Sequence, residues 1–500
     1  MSSSPDRREF LSASALGAAG LPLLAGLQPV RAADAKLDPN LVRLDSGIEP
    51  LVRLLEETPR NELVEKVADR VKKGLGYKDV LAALLLAGVR NVQPRPNVGF
   101  KFHAVLVVNS AHLASLAGPD NERWLPIFWA IDNFKSSQAQ TLKESGWRMR
   151  PVNEMKLPPA RKAKAAFVAA MEGWDEEAAD EAVAALARTA SADELFELFA
   201  RFGCRDFRDI GHKAIYVANA FRALQAIGWH HAEPVLRSLA YALLQHEGDN
   251  PAKRDGAPDR PGRKNAELVN RIRKEWVGGK DDAEATADLL ATLRDGSERD
   301  AAEKAAEQLN AGVSPRSVWD GLFLGAGECL MQQPGIVGLH TLTTMNALRH
   351  AYDTTGDDET RRMLMLQGAS FLPLFRAAMT GRGKVGDARI DKLEPSDKAD
   401  GAADVYAELS RDKASAARMA LGYLKSDGQA GKKLIDAGRL LVFLKGNDAH
   451  DYKFSSAVLE DYAHVTPHWR DRFLAASLFW LKGSGGRDAP IVKRVHAALA

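Results

Sequence analysis

Four histidines stand at the head of four similar segments spread along the chain. They are His103-Ala104-Val105-Leu106-Val107-Val108-Asn109, His212-Lys213-Ala214-Ile215-Tyr216-Val217-Ala218-Asn219, His340-Thr341-Leu342-Thr343-Thr344-Met345-Asn346, and His450-Asp451-Tyr452-Lys453-Phe454. The leading histidines are separated by 109, 128 and 110 residues. A neutral imidazole offers one lone pair to iron, copper, zinc or nickel, so a repeat that returns a histidine to one place can build a metal site. His103, His212, His340 and His450 are therefore the candidate metal ligands, with Asp132, Asp209, Glu247, Glu328 and Asp451 as acidic residues that could complete the shell. The other reading is structural: a histidine near a helix start can bond a backbone carbonyl or fill a polar core position.

Three of the segments carry an asparagine six or seven positions on, Asn109, Asn219 and Asn346. That is close to two helical turns and near the histidine's own face. An amide there can orient a ligand or fix an imidazole tautomer, or it can join an interhelical network. The fourth segment has Ala457 in that place, which breaks the symmetry. Arg205 and Arg208, just before His212, could clamp an anionic substrate, though Asp206 and Asp209 are ready ion-pair partners. His230 and His231 are candidates for proton transfer, as are Tyr452 and Lys453 beside the last leading histidine. Cys204 has no CxxC partner and reads as a buried thiol.

The elements that must position these groups are helices. Alanine and leucine are abundant, apolar residues recur at helical spacing, and the alternation expected of half-buried strands is scarce. Each leading helix is followed, after a polar break, by a second one: Trp124–Phe134, Ala232–Leu244, Glu359–Phe375 and Trp469–Leu481. A recurring helix pair predicts an array of αα-hairpins, either a compact α/α toroid with the histidines around its centre or an open curved array. Two polar stretches, 247–271 and 381–402, read as loops. The expected division is 1–35 as a leader, 36–94 as an N-terminal helical region, 95–246 with the first two repeats, 247–380 with a polar insertion and the third, and 381–500 with a linker and the fourth.

The 500 residues include 68 Lys and Arg against 66 Asp and Glu, a balance that argues against binding nucleic acid through its backbone. Two cysteines, Cys204 and Cys329, are too few for a disulfide framework or an all-cysteine cluster. Residues 1–35 differ in kind: Arg7-Arg8-Glu9-Phe10-Leu11, an apolar run to Leu27, then Ala32-Ala33-Asp34-Ala35. This predicts a twin-arginine export signal, with the Tat machinery as a transient partner and a soluble periplasmic product. No other stretch approaches the roughly 20 apolar residues of a membrane span.

The His-led pairs resemble the questin oxidase-like family through His103, Gly211-His212, His340 and His450-x-x-Lys453-Phe454, over about residues 95–485. That resemblance implies a helical redox enzyme; fungal members are associated with oxidative, Baeyer–Villiger-like cleavage of aromatic polyketides. The residues themselves contain no strand–GxGxxG–helix unit, CxxCH, HExxH or GxSxG elbow. A non-haem ion (iron, copper or zinc) is favoured over haem. The expected function is a metal-dependent oxidoreductase acting on a small organic molecule. A metal-dependent hydrolase or lyase, or a helical-repeat binding protein without catalysis, is the alternative.

Overall fold

A computed structural model describes residues 40–396, 399–426 and 428–500. The predicted leader, 1–35, lies outside them. Among the described residues the architecture is all-α, with one isolated bridge between Lys280 and Val313 in place of any sheet. None of its helices is long and apolar enough to cross a membrane.

Four helix pairs form the centre: α1 (His103–Ala117) with α2 (Leu125–Glu144), α3 (His212–Ile227) with α4 (Ala232–Leu243), α5 (Ile336–Thr354) with α6 (Asp358–Thr380), and α7 (Ala449–Asp461) with α8 (Arg470–Ser477). Each first helix packs on the second of its pair. The first helices also pack on one another in a closed circuit: α1 on α3, α3 on α5, α5 on α7, and α7 back on α1. Their composition explains why they are inside. From His103 to Ala111 every side chain of α1 is buried, and α3 and α5 are buried over most of their surface. A helix apolar all round has no solvent face and must be enclosed by others.

The four helices run in one direction. Their first turns meet at one end, and residues six to eleven positions further on meet again below: Asn109 with Asn219, Arg222 with Glu460, and Asn346 with Glu460 and Asp461. The intervening chain, such as Ala160–Gly173, Glu176–Thr189 and Ala283–Asp295, supplies the crossovers that parallel neighbours require.

The stretch 247–271 is only partly loop. Arg260–Val269 is helical, with Pro261 in its first turn, and buries Asn265, Leu268 and Val269 against α6. Asn265 donates to Gln367 and Ser370, so this polar residue faces the core rather than solvent. The described residues of the stretch 381–402 are irregular apart from one turn at Ile390–Lys392 and the helix that begins at Ala402.

Candidate metal centre

The circuit of four helices brings the leading histidines together. His103 Nε2 lies 2.8 Å from His212 Nε2, and His340 Nε2 lies 3.0 Å from that same nitrogen. The His450 ring closes the group, with its centroid 4.4 Å from that of His103 and 5.1 Å from that of His340. Nitrogens of His103, His340 and His450 all fall within 4.8 Å of one another.

The other ring nitrogens decide what these contacts are. His103 Nδ1 donates to the Phe100 carbonyl at 2.7 Å, His212 Nδ1 to the Asp209 carbonyl, and His340 Nδ1 to the Ile336 carbonyl at 2.6 Å. His450 Nδ1 donates to Asp448 Oδ1 at 2.5 Å. A carbonyl or carboxylate oxygen only accepts, so each Nδ1 carries the hydrogen and each neutral ring presents a lone pair at Nε2. The lone pair of His212 faces those of His103 and His340 at hydrogen-bonding distance, and the fourth, His450 Nε2, is buried without a partner. That arrangement repels itself unless something positive sits among the nitrogens. One shared proton relieves one contact. A metal ion relieves all of them: His103, His340 and His450 form a histidine-only cluster able to ligate a non-haem ion, and His212 Nε2 lies against two of its rings.

Electrostatics keep three of the rings, His103, His212 and His340, neutral. Burial pushes the proton affinity of His103, His212 and His340 well below the usual histidine range, and the Lys453 ammonium and the neighbouring rings press it further down. Lys453 is itself fully buried, its Nζ has no partner, and burial lowers its pKa to about 7 against the opposing pull of Asp448.

Backbone strain aims two of the carbonyls. Phe100 and Asp209 each precede their histidine by three residues, and they have φ of +46° and +51°, a region that costs a side-chain-bearing residue about 1–2 kcal/mol. Each begins a one-turn 3₁₀ segment, Phe100–Phe102 or Asp209–Gly211, that feeds directly into the histidine's helix. Gly211 completes the second turn at φ +82°; a Cβ there would lie 2.0 Å from Thr344 Oγ1. Strain repeated at equivalent positions of two repeats, with both carbonyls on imidazoles, is the kind found where a site fixes its geometry.

The three asparagines lie one to two turns below the rings. Asn109 Nδ2 donates to Asn219 Oδ1 at 3.1 Å, and Asn219 Nδ2 donates to the Leu106 carbonyl. Asn346 reaches Glu460 and Asp461 on α7, the helix that lacks an asparagine of its own. They form an interhelical network rather than touching the imidazoles. Tyr452 is buried against Trp129, ring centroids 4.6 Å apart, on the outer side of α7.

Other sequence candidates lie elsewhere. His230 and His231 follow the far end of α3, whose 16 residues span about 24 Å, in a surface cleft with Asp45, Glu154, Arg188 and Glu233. Arg205 and Arg208 do not form the expected anion clamp. Arg208 makes a two-pronged bond to Asp259, while Arg205 lies flat on Trp174 and donates to the Met171 and Leu243 carbonyls. Asp206, fully buried between these arginines and Lys213, is the carboxylate that the three cations share. Of the acidic candidates, Asp132 pairs with Arg60, Glu328 with Arg294 and Asp451 with Lys482, while Asp209 contributes only its carbonyl to the site. The carboxylate that does reach a ring is Asp448. Its signal was the N-cap position, two residues before His450 with Asp451 three residues on, a capping box that the structure contains. Cys204 is buried and its thiol is pushed up to about 12.

No protein-family model matches this chain, and no curated protein sequence or solved structure matches it either.

Proposed function

We propose that this chain is a metal-dependent oxidoreductase acting on a small organic substrate, with His103, His212, His340 and His450 holding a non-haem iron, copper or zinc ion. The observation that carries the reading is the tautomer pattern: four rings with Nδ1 pinned as donors and Nε2 lone pairs turned on one another. An imidazole in a purely structural role has no need to face three others with its lone pair. The toroidal reading of the repeats fits the closed circuit of inner helices. The questin oxidase-like resemblance supports redox chemistry, and the predicted Tat leader supports export of a chain already loaded with its cofactor.

When bound, the ion supplies Lewis-acid or one-electron chemistry. The chain's own residues do the rest. Phe100, Asp209, Ile336 and Asp448 fix the ring tautomers. The apolar walls of α1, α3 and α5 exclude water. His450 is the least enclosed of the four rings, and Phe100, beside His103, is 75% exposed, so substrate approaches from the end where the helices begin. Lys453 holds or releases a proton one turn below His450.

That amine favours a second reading, a metal-dependent hydrolase or lyase, because a buried base beside a Lewis acid serves proton abstraction equally well. Metal analysis of the full chain, with His212→Ala and His340→Ala alongside, tests the site. About one ion per chain, lost in both variants, is expected. Folded wild-type protein that neither contains nor rebinds a metal refutes it. Iron or copper with an oxidisable spectrum supports the redox reading, whereas zinc alone moves the assignment to the hydrolase or lyase.

A further inference from the structure

Below the imidazoles the axis of the four inner helices does not turn apolar. On α7, Lys453, Ser456 and Glu460 follow one another at spacings of three and four residues. They therefore stand on one face of the helix and step about 10 Å down it. Lys453 and Ser456 help to wall a void of about 20 Å³ that all four inner helices enclose. Ser456 and Glu460 help to wall a cleft of about 300 Å³ between α1, α7 and the helix Ala430–Lys445. Ser456 and Leu113 belong to both walls, so void and cleft are neighbours across those two side chains. An ion pair ties them together a second time: Arg222 lines the void, Glu460 lines the cleft, and two bonds of 3.0 Å join them. Lys453 is buried, whereas the Glu460 side chain is 32% exposed.

An enclosed amine that holds or releases a proton needs a route to solvent. Upward, three of the four rings end at main-chain carbonyls, which cannot pass a proton on; His450 alone ends at a carboxylate, Asp448. A metal on the Nε2 atoms closes that way too. Downward, the route ends at Glu460. Burial raises the proton affinity of Glu460, but Arg222 and Asn346 outweigh it and hold the carboxyl below the usual range. An ionised carboxylate at the mouth can take a proton from the interior and give it to water. We propose that Lys453, Ser456 and Glu460 form a proton path from the metal centre to the far end of the inner helices, with Glu460 as its solvent-facing base. In release, an N–H bond of the Lys453 ammonium breaks, the Ser456 hydroxyl receives that proton as it gives up its own, and a Glu460 oxygen takes the latter and hands it to solvent. Uptake is the reverse, and no other bond changes. Ser456 donates to the Ser110 carbonyl at 2.9 Å, which leaves its oxygen able to accept. The use of the path rests on the metal-enzyme reading, in which substrate and protons reach the centre from opposite ends.

The test follows exchange of the Lys453 ammonium hydrogens with solvent, by heteronuclear NMR of the metal-free full chain at mildly acid pH, with Lys453→Met identifying the signal. Exchange should slow by about a hundredfold in Glu460→Gln, the low end of what a positioned proton-transfer group contributes. It should slow likewise in Ser456→Val, which replaces the hydroxyl on the shared wall by a methyl group. Arg222→Gln breaks the same ion pair but leaves the carboxylate, so it should not slow exchange; equal slowing there would make Glu460 a structural residue and overturn the proposal. A wild-type rate in Glu460→Gln overturns it, as does one in Ser456→Val should Glu460→Gln not fold. Slowing by Asp448→Asn in place of Glu460→Gln also overturns it, because the exit then lies at the upper end. The measurement needs no metal, so elemental analysis reports separately on the metal centre and the two failures stay distinguishable.

Discussion

Asp448 does two jobs, and two substitutions separate them. Its Oδ1 accepts from the His450 backbone amide at 2.8 Å, capping α7, and from His450 Nδ1 at 2.5 Å, setting the ring's tautomer. The bond to His450 holds its carboxyl below the usual carboxylate range, so the residue is ionised when the ring is neutral. In Asp448→Asn the amide oxygen can still accept both bonds, and asparagine caps as well as aspartate, so metal-free stability should move by no more than about 0.5 kcal/mol. What is lost is the charge. A charge-assisted hydrogen bond contributes about 1.5–3 kcal/mol against about 0.5–1.5 for a neutral one, a difference near 1.4 kcal/mol and hence about tenfold in metal affinity. Asp448→Ala loses cap and ring partner together, so stability should fall by about 1 kcal/mol and metal affinity toward the hundredfold end of partner-removal effects. Asp175→Ala is the control: that side chain caps the Glu176–Thr189 helix and touches no imidazole, so it should cost similar stability and no affinity. Affinity is read by competition with a chromophoric chelator, stability by urea unfolding of the metal-free chain. The reasoning is refuted if Asp448→Asn and Asp448→Ala bind metal as tightly as the wild type, or if the Asp175 control weakens binding as much.

Lys453 should make stability depend on pH. Its pKa falls from 10.5 in the unfolded chain to about 7 in the folded one, so between those values the unfolded chain holds a proton the folded chain has shed. Stability therefore rises with pH across that window by up to about 1.4 kcal/mol per unit. Urea midpoints should show that rise in the wild type relative to Lys453→Met, and parallel curves would contradict it. Gly211→Ala should cost at least about 2 kcal/mol, from the left-handed backbone and the collision with Thr344, and should reduce metal content with it. Arg208→Ala leaves Asp259 and buried Asp206 short of a cation and should destabilise by about 3 kcal/mol in the same assay, without changing the metal-to-protein ratio of the folded fraction. His230→Ala and His231→Ala should retain the full metal complement by elemental analysis.

The repeat of histidine-led helices was visible in sequence because it is written in residue types at near-constant spacing. Two of the four helices, α1 and α3, begin at their histidine, while α5 starts four residues before His340 and α7 one before His450. The pinning groups were hidden for a physical reason. Three of them are main-chain carbonyls, which any residue possesses, and two of those are aimed by positive φ at Phe100 and Asp209, side chains that do not advertise such a conformation. Density along the chain misled in the opposite sense. His230 and His231 sit within twenty residues of His212, but a straight helix carries them away from it, whereas His450 arrives from more than two hundred residues further on. Asp206, beside Arg205, was legible as an ion-pair partner, whereas Asp209 accepts from the Val98 amide instead; Asp259, more than fifty residues later, was not legible.

The shared direction of α1, α3, α5 and α7 has an electrical consequence. Each helix carries a macrodipole equivalent to roughly half a positive charge at its beginning, and four beginnings gathered around one spot amount to roughly two. Lys453 adds to that field whenever it is protonated. An ion entering the nest of imidazoles therefore arrives against a positive potential, one that favours the lower of two oxidation states and draws negative charge in with the metal. A substrate bearing a carboxylate, enolate or phenolate oxygen would be pulled to the same place, which makes acidic organic molecules the first to screen.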